Sequence, residues 1–207
     1  MADRKPASKA PPTERTVAGA DWTDRALEGE THERVAFVDL DLTEARCRGM
    51  TFTECTFRRA RFNCSSHADA AFVNCTFVNC NFFDARFADC KLVGSMFDRC
   101  TYDLMQVSGG NWSHVGLPGA DLSRAAFRGT RLREADLTGA SFKGGTLRDA
   151  DLSGALLRKA KLAGCDLRGS DLSALEAEDV MEMRGAVVTF EQALVLATVI
   201  GLDLRPE

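Results

Sequence analysis

No stretch of this sequence comes near the roughly 18 consecutive apolar residues that a membrane-spanning helix needs, so no membrane span is expected. The N-terminus, MADRKPASKAPPTERTVAG, also lacks the apolar middle of a secretory signal, which makes the cytoplasm the expected location. Basic excess is missing as well. Residues 1–19 hold four basic and two acidic side chains, residues 20–174 hold 20 and 21, and residues 175–207 hold two and seven. Binding to nucleic acid draws on Lys and Arg neutralising phosphates, so this balance argues against direct nucleic-acid binding and for a protein partner. No phosphate loop, catalytic triad or paired-carboxylate pocket is recognisable, and a non-enzymatic protein without cofactor is expected.

What the sequence has is a period of five. From Trp22, through Leu27, His32, Phe37 and Leu42 to Leu167 and Leu172, 31 consecutive positions keep the step without a frame shift, and 24 of them are Phe or Leu. Two residues earlier in each unit stands a small residue, among them Ala45, Cys55, Ala60, Ser65, Cys75, Cys80 and Cys90. In extended chain, residues i−2 and i point to one side, so each unit reads as three residues of strand and a two-residue corner with both marked positions inward. Gly129, Gly139, Gly144, Gly154, Gly164 and Gly169 fall at corners, where tolerance of positive φ is useful. Each unit alone has nothing to bury. Stacked units share a continuous core, which is the logic of a solenoid.

The segments ADLSRAAFRG, ADLTGASFKG and ADLSGALLRKAKLAGCDLRGSDL resemble the A(D/N)LXX units of pentapeptide-repeat proteins. The resemblance implies an all-β fold, a right-handed quadrilateral parallel β-helix with four units per coil, over residues 20–174. Residues 20 apart then stack in almost eight coils, with residues 1–19 as a disordered tail and 175–207 as a C-terminal cap and dimerisation segment. The core residue changes from Phe, over Phe52 to Phe97, to Leu from Leu117 onward. Tyr102, Val107 and Trp112 lie between, among Gly109, Gly110, Gly116, Pro118 and Gly119, so a local irregularity is expected over residues 102–119.

Six cysteines sit at the small inward position and read as packing thiols interchangeable with Ala and Ser, neither disulfides nor metal ligands. Cys47 and His67 replace Phe or Leu at the centre and should stack, since they are 20 apart; a core histidine fits better than a metal or nucleophile pair. His114 should face solvent.

Near the C-terminus, Thr189 and Gln192 have capping-box spacing before an apolar run that ends at Gly201, which predicts a helix from about Phe190 to Ile200. Phe190, Leu194, Val195, Leu196, Val199 and Ile200 surround it almost completely, with Leu202 and Leu204 beyond. One face can cap the solenoid edge, and the other needs a partner, so a homodimer through this segment is expected.

An unbroken repeat array followed by a short apolar helix resembles the Mfp and Qnr branch of the family. That resemblance implies a rod-shaped homodimer that imitates duplex DNA, binds DNA gyrase or a related type II topoisomerase, and protects it from quinolones or natural topoisomerase poisons. Sorted by face, the acids that would serve as partner-binding residues are Asp21, Asp24, Asp41, Glu44, Asp84, Asp103 and Asp121, joined by Glu176, Glu178, Asp179 and Glu182 in the tail. Against uniform mimicry stands a basic band of Arg46, Arg48, Arg58, Arg59 and Arg61. The alternative is a scaffold for another protein, bound through the outward apolar residues Val73, Val78, Phe83 and Val93.

Overall fold

A computed structural model describes residues 10–205. The chain coils into a parallel β-solenoid whose successive turns pair in a register of 20 residues. One face carries strands Arg15–Ala18, Val35–Val38, Thr56–Arg58, Thr76–Val78 and Met96–Asp98. The next is a seven-stranded sheet running from Ala26–Glu28 to Thr146–Arg148. A third holds Thr31–Glu33, Thr51–Thr53 and Ala71–Val73, and the fourth is held by isolated bridges such as Asp41↔Arg61 and Asn81↔Thr101. Of the tail expected over residues 1–19, residues 1–9 lie outside the described residues. The remainder corrects the boundary, because Arg15–Ala18 already pairs with Val35–Val38.

Both inward positions are buried almost throughout. The rings stack along the axis: Phe52 on Phe72 at 4.8 Å and 9°, Phe57 on Phe77 at 4.9 Å and 8°. Neighbours within a coil meet edge to face, as Phe57 and Phe62 do at 66°. A five-residue step therefore gives each ring both arrangements that its quadrupole favours. Nearly all the corners take positive φ at the second residue after the centre, Arg124 and Ala174 being exceptions, and 18 of them hold residues other than glycine, including Asp24, Arg59 and Lys159. The glycine corners of the C-terminal half are thus one solution among several.

The irregularity expected near residues 102–119 is present, and its loss of ladder hydrogen bonds falls on one face. The backbone N–H of Leu42, Phe62, Phe82 and Leu122 each donates to the next coil. Among the described residues no backbone acceptor meets the N–H of Arg99, Tyr102, Leu104 or Asp121. Residues 99–104 have parted from residues 118–124, while Met96↔Gly116, Lys91↔Asn111 and Gln106↔Ala126 keep the other faces in register. The parting coincides with the change of core, where Tyr102 is followed one coil on by Leu122 and ring-on-ring stacking cannot continue. It leaves a groove of 570 Å³. Amides without a ladder partner exchange through small openings. Hydrogen exchange at Tyr102, Leu104 and Asp121 is expected to be at least about a hundredfold faster than at Phe62 and Phe82; equal protection would show the face to be closed.

After Leu172 the chain forms α1 (Ala177–Met181), then α2 (Phe190–Val199). The helix expected over residues 190–200 is α2, with the capping box at Thr189 and Gln192. Gln192 is buried and donates from Nε2 to the carbonyls of Leu167 and Ser170, both at 2.8 Å. It thereby satisfies two acceptors of the last coil that would otherwise end as an open edge. α1 adds a helix that the apolar pattern does not announce; its signal is Glu176 and Asp179 in capping-box spacing.

Candidate partner-binding surface

The acids of the predicted face occupy the position just before the central Leu or aromatic residue, or a corner. At the first position the carboxylate has a structural task. The N–H of the residue after the centre lies outside the ladder at corners without a strand, and the carboxylate accepts it: Thr23 N–H to Asp21 at 2.9 Å, Thr43 N–H to Asp41 at 2.9 Å, Ser123 N–H to Asp121 at 3.1 Å. Asn81 does the same for Phe83. This is why the unit tolerates Asp or Asn there, and the bonds from Thr23 and Ser123 lower the carboxyls of Asp21 and Asp121 below their ordinary range.

The structure sorts the predicted acids further. Four are paired with arginines: Asp24 with Arg46 at 3.0 Å, Asp41 with Arg61 at 2.6 Å, Asp84 with Arg86 at 3.4 Å and Asp103 with Arg124 at 2.9 Å. Asp179 is buried and accepts the Glu176 N–H at 3.0 Å, so it belongs to α1. Asp21, Glu44, Asp121, Glu176, Glu178 and Glu182 remain exposed without an arginine partner among the described residues. Three of these lie in the tail, on α1 and its two caps. The arginines are in the sequence, but a face assignment alone does not show that Arg61 stacks directly over Asp41.

Cys47 and His67 stack as expected, in direct register. Burial pushes the Cys47 thiol up to about 12, and burial pulls the His67 imidazole down to about 3. His67 Nε2 lies 3.0 Å from Ser65 Oγ, its Nδ1 has no partner, and its ring stacks on Phe87 at 4.9 Å. A thiol held protonated beside an imidazole held neutral is neither nucleophile nor base, and the pair is part of the core. The unfolded chain takes up a proton near pH 6.5, whereas the folded chain resists until about 3. Stability contributed by neutral His67 is therefore complete above about pH 6.5 and declines as pH falls toward 3, by on the order of a few kcal/mol. His67→Phe, matching the Phe72, Phe77 and Phe82 positions, is expected to remove that acid sensitivity; unchanged unfolding curves between about pH 4 and 7 would refute it. His114 is 43% exposed in its side chain, as expected, beside Glu134.

Two apolar surfaces stand open. On α2 and beyond, Phe190 (76% exposed), Leu194, Val195, Ile200, Leu202 and Leu204 face outward, while Leu196 packs against the core and Val199 is half-buried. Of the second band, Phe83 is exposed at the groove, and Val73, Val78 and Val93 are half-buried between flanking polar columns. The larger and more continuous patch is that of α2.

Residues 50–127 match a family model described as a pentapeptide repeat region, and residues 113–144 and 135–173 match one described as pentapeptide repeats (8 copies). The structure is similar to that of full-length QnrB1, a plasmid-mediated fluoroquinolone resistance protein, with a TM-score of 0.57 at 19% identity over 92% of this chain and 99% of that one. HetL, a pentapeptide repeat protein involved in heterocyst differentiation regulation from a Nostoc cyanobacterium, aligns over 72% of this chain and 90% of its own at 17% identity, with a TM-score of 0.29. At 19% identity the likeness to QnrB1 is one of fold. No curated protein matches the chain.

Proposed function

The chain belongs to the pentapeptide-repeat family, and from that premise we propose that it is a non-catalytic rod that binds DNA gyrase or a related type II topoisomerase and protects it from quinolone-type or natural poisons. The observation that carries the reading is that the C-terminal tail holds both the exposed acids Glu176, Glu178 and Glu182, which have no arginine partner among the described residues, and the uncovered apolar face of α2. Pairing of two chains through Phe190, Leu194, Val195, Ile200, Leu202 and Leu204 would bring two such sets together at the middle of a double-length rod. Charge is then concentrated at the centre and reinforced outward by Asp121, Glu44 and Asp21. The fold likeness to a fluoroquinolone resistance protein supports the choice of target.

A second reading, a scaffold without DNA mimicry, is favoured by the ion pairs of Asp24, Asp41, Asp84 and Asp103, which neutralise much of the predicted acidic face. One experiment separates the two. Asp21 and Asp121 are changed to Asn, which keeps the turn-capping acceptor, and Glu44, Glu178 and Glu182 to Gln; Arg48→Glu with Arg58→Glu is the control. In a gyrase supercoiling assay with a quinolone, the neutralised protein is expected to lose about tenfold in protective potency, with salt weakening the parent in the same way. Equal protection by both proteins would leave the scaffold reading, and no protection by either would remove the topoisomerase. Light scattering tests the dimer: Phe190→Asp should yield a monomer, and a monomeric parent at micromolar concentration would contradict it.

A further inference from the structure

We propose that Cys100 and Cys80, at the floor of the parted face, form an oxidant-sensitive modification site that closes to an intramolecular disulfide. The two residues occupy the same small inward position in consecutive coils and flank the bridge Asn81↔Thr101. The Thr101 N–H donates to the Cys80 carbonyl at 3.1 Å, so their Cα atoms stand one interstrand step apart, about 4.8 Å, within the range a disulfide spans. Each thiol donates to carbonyls of the core, Cys80 to Phe57 and Val78 and Cys100 to Phe77 and Asp98, so both side chains lie on the same inward column.

A second pair provides the comparison. Cys55 and Cys75 are stacked in the same way, but both are fully buried and the ladder beyond them is intact: the Asn74 N–H donates to Val93 O and the Met96 N–H to Cys75 O, each at 2.9 Å. Cys100 differs in that it is only partly buried and lines the 570 Å³ groove together with Tyr102, Asn81, Thr101 and Asp121. The groove exists because the N–H groups of Tyr102 and Asp121 lack ladder partners. The same missing bonds that mark this face as parted thus give small solutes access to one thiol pair and not to the other.

The reaction needs a hydroperoxide as oxidant. The neighbouring Cys80 thiol and burial hold the Cys100 thiol above its ordinary range, so the reaction proceeds without a standing thiolate and is slow. The Cys100 sulfur, which unlike Cys47 lines an open groove, attacks the peroxide oxygen as its proton passes to the departing oxygen; the O–O bond breaks, and a sulfenic acid forms with loss of water or an alcohol. The Cys80 sulfur then attacks the sulfenic sulfur, the S–O bond breaks, and a second water leaves with the Cys80 proton. Two thiols are oxidised by two electrons and one peroxide is reduced. Parallel Cβ directions leave the product strained, and strained disulfides are the readily reduced ones, so reduction by a dithiol should restore the pair.

The test uses the full chain carrying Cys64→Ser, because Cys64 is exposed at a corner and would react first. After treatment with hydrogen peroxide and blocking of free thiols, tryptic digestion is expected to join the peptide ending at Arg86 to the one running from Cys100 to Arg124, with fragmentation placing the link at Cys80. Loss of the Cys80 and Cys100 thiols should be about tenfold faster than loss of Cys55 and Cys75. Cys80→Ala, which installs the residue found at the Ala60 and Ala120 positions of the same column, should abolish the link and leave an accumulating Cys100 sulfenic acid. Oxidation of both pairs at one rate, or of Cys100 to a sulfinic acid with Cys80 still free in the parent, would overturn the proposal. So would a fully reduced Cys80–Cys100 pair after peroxide has oxidised added free cysteine.

Discussion

Replacing Phe57 by alanine is expected to lower stability by about 3–5 kcal/mol, the cost of truncating a large aromatic side chain in a core that cannot collapse around the cavity. Phe57 is fully buried. It stacks between Phe37 at 5.1 Å and Phe77 at 4.9 Å and meets Phe52, Phe62 and Phe72 at their edges or faces. Its loss removes partners from five rings at once, and parallel strands above and below hold their spacing by ladder bonds that cannot shorten to fill the gap. Cys80→Ala is the matched small change, because Ala already fills that position elsewhere in the column; it should cost less than about 1.5 kcal/mol. Equilibrium denaturation of both variants measures the contrast. Because solenoid stability is a sum of coil and interface contributions, Phe57→Ala should also broaden or split the transition as the N-terminal coils melt first. A loss below about 1.5 kcal/mol would mean that the stacked column relaxes as a unit.

The fold was legible in the sequence because the repeat imposes one constraint on every unit: a large residue and a small one share one side of a three-residue strand. Nothing in the tertiary structure overrides that, so spacing alone places Phe57 and Cys80 inward. The surface was less legible for a physical reason. An Asp at the position before the central residue can cap its own corner, pair with an arginine in the next coil or face a partner, and Asp41 does the first two at once. Which of these holds depends on what lies 20 residues away, so a count of acids on a face overstates its free charge. Asp179 is the sharper case. It reads as part of an acidic tail and is instead the reciprocal cap of α1, whose five residues are too few to show an apolar period.

The parted face illustrates the opposite situation. Its cause was visible as a cluster of unusual residues, Tyr102, Trp112, the glycine pair and Pro118, but period alone could not say which of four faces would yield. Sequence spacing records where side chains point and not whether a backbone N–H reaches the carbonyl above it. The Tyr102 and Asp121 amides are identified only by geometry.

Gly110→Ala is the second large effect expected, at about 3 kcal/mol or more, and it arises across the same coil as the parted face. The corner before it is ordinary: Gly109 has φ +64°, a conformation that Asp, Arg, Glu and Asn adopt at equivalent corners of this chain. Gly110 is different because it follows with a second positive φ, +77°, at a position where other units hold Ala, Cys or Ser. A methyl group there would lie 2.2 Å from the Cys90 carbonyl oxygen and 2.8 Å from the Cys90 nitrogen. Both are backbone atoms of the coil below, fixed in place by the Asn111 N–H donating to that same carbonyl at 2.9 Å. The strained conformation contributes about 1–3 kcal/mol and the overpacking a similar amount. Gly129→Asn is the control, since Gly129 has φ +63° and a Cβ there would meet nothing within 4 Å, so its change should cost less than about 1 kcal/mol. If Gly110→Ala and Gly129→Asn unfold at the same denaturant concentration, the coil below must yield, and the three closed faces at this level would be no more rigid than the open one. If they separate as expected, the coil is hinged on an unyielding side opposite a parted one, which confines any widening of the groove to the face that carries Cys100 and Asp121.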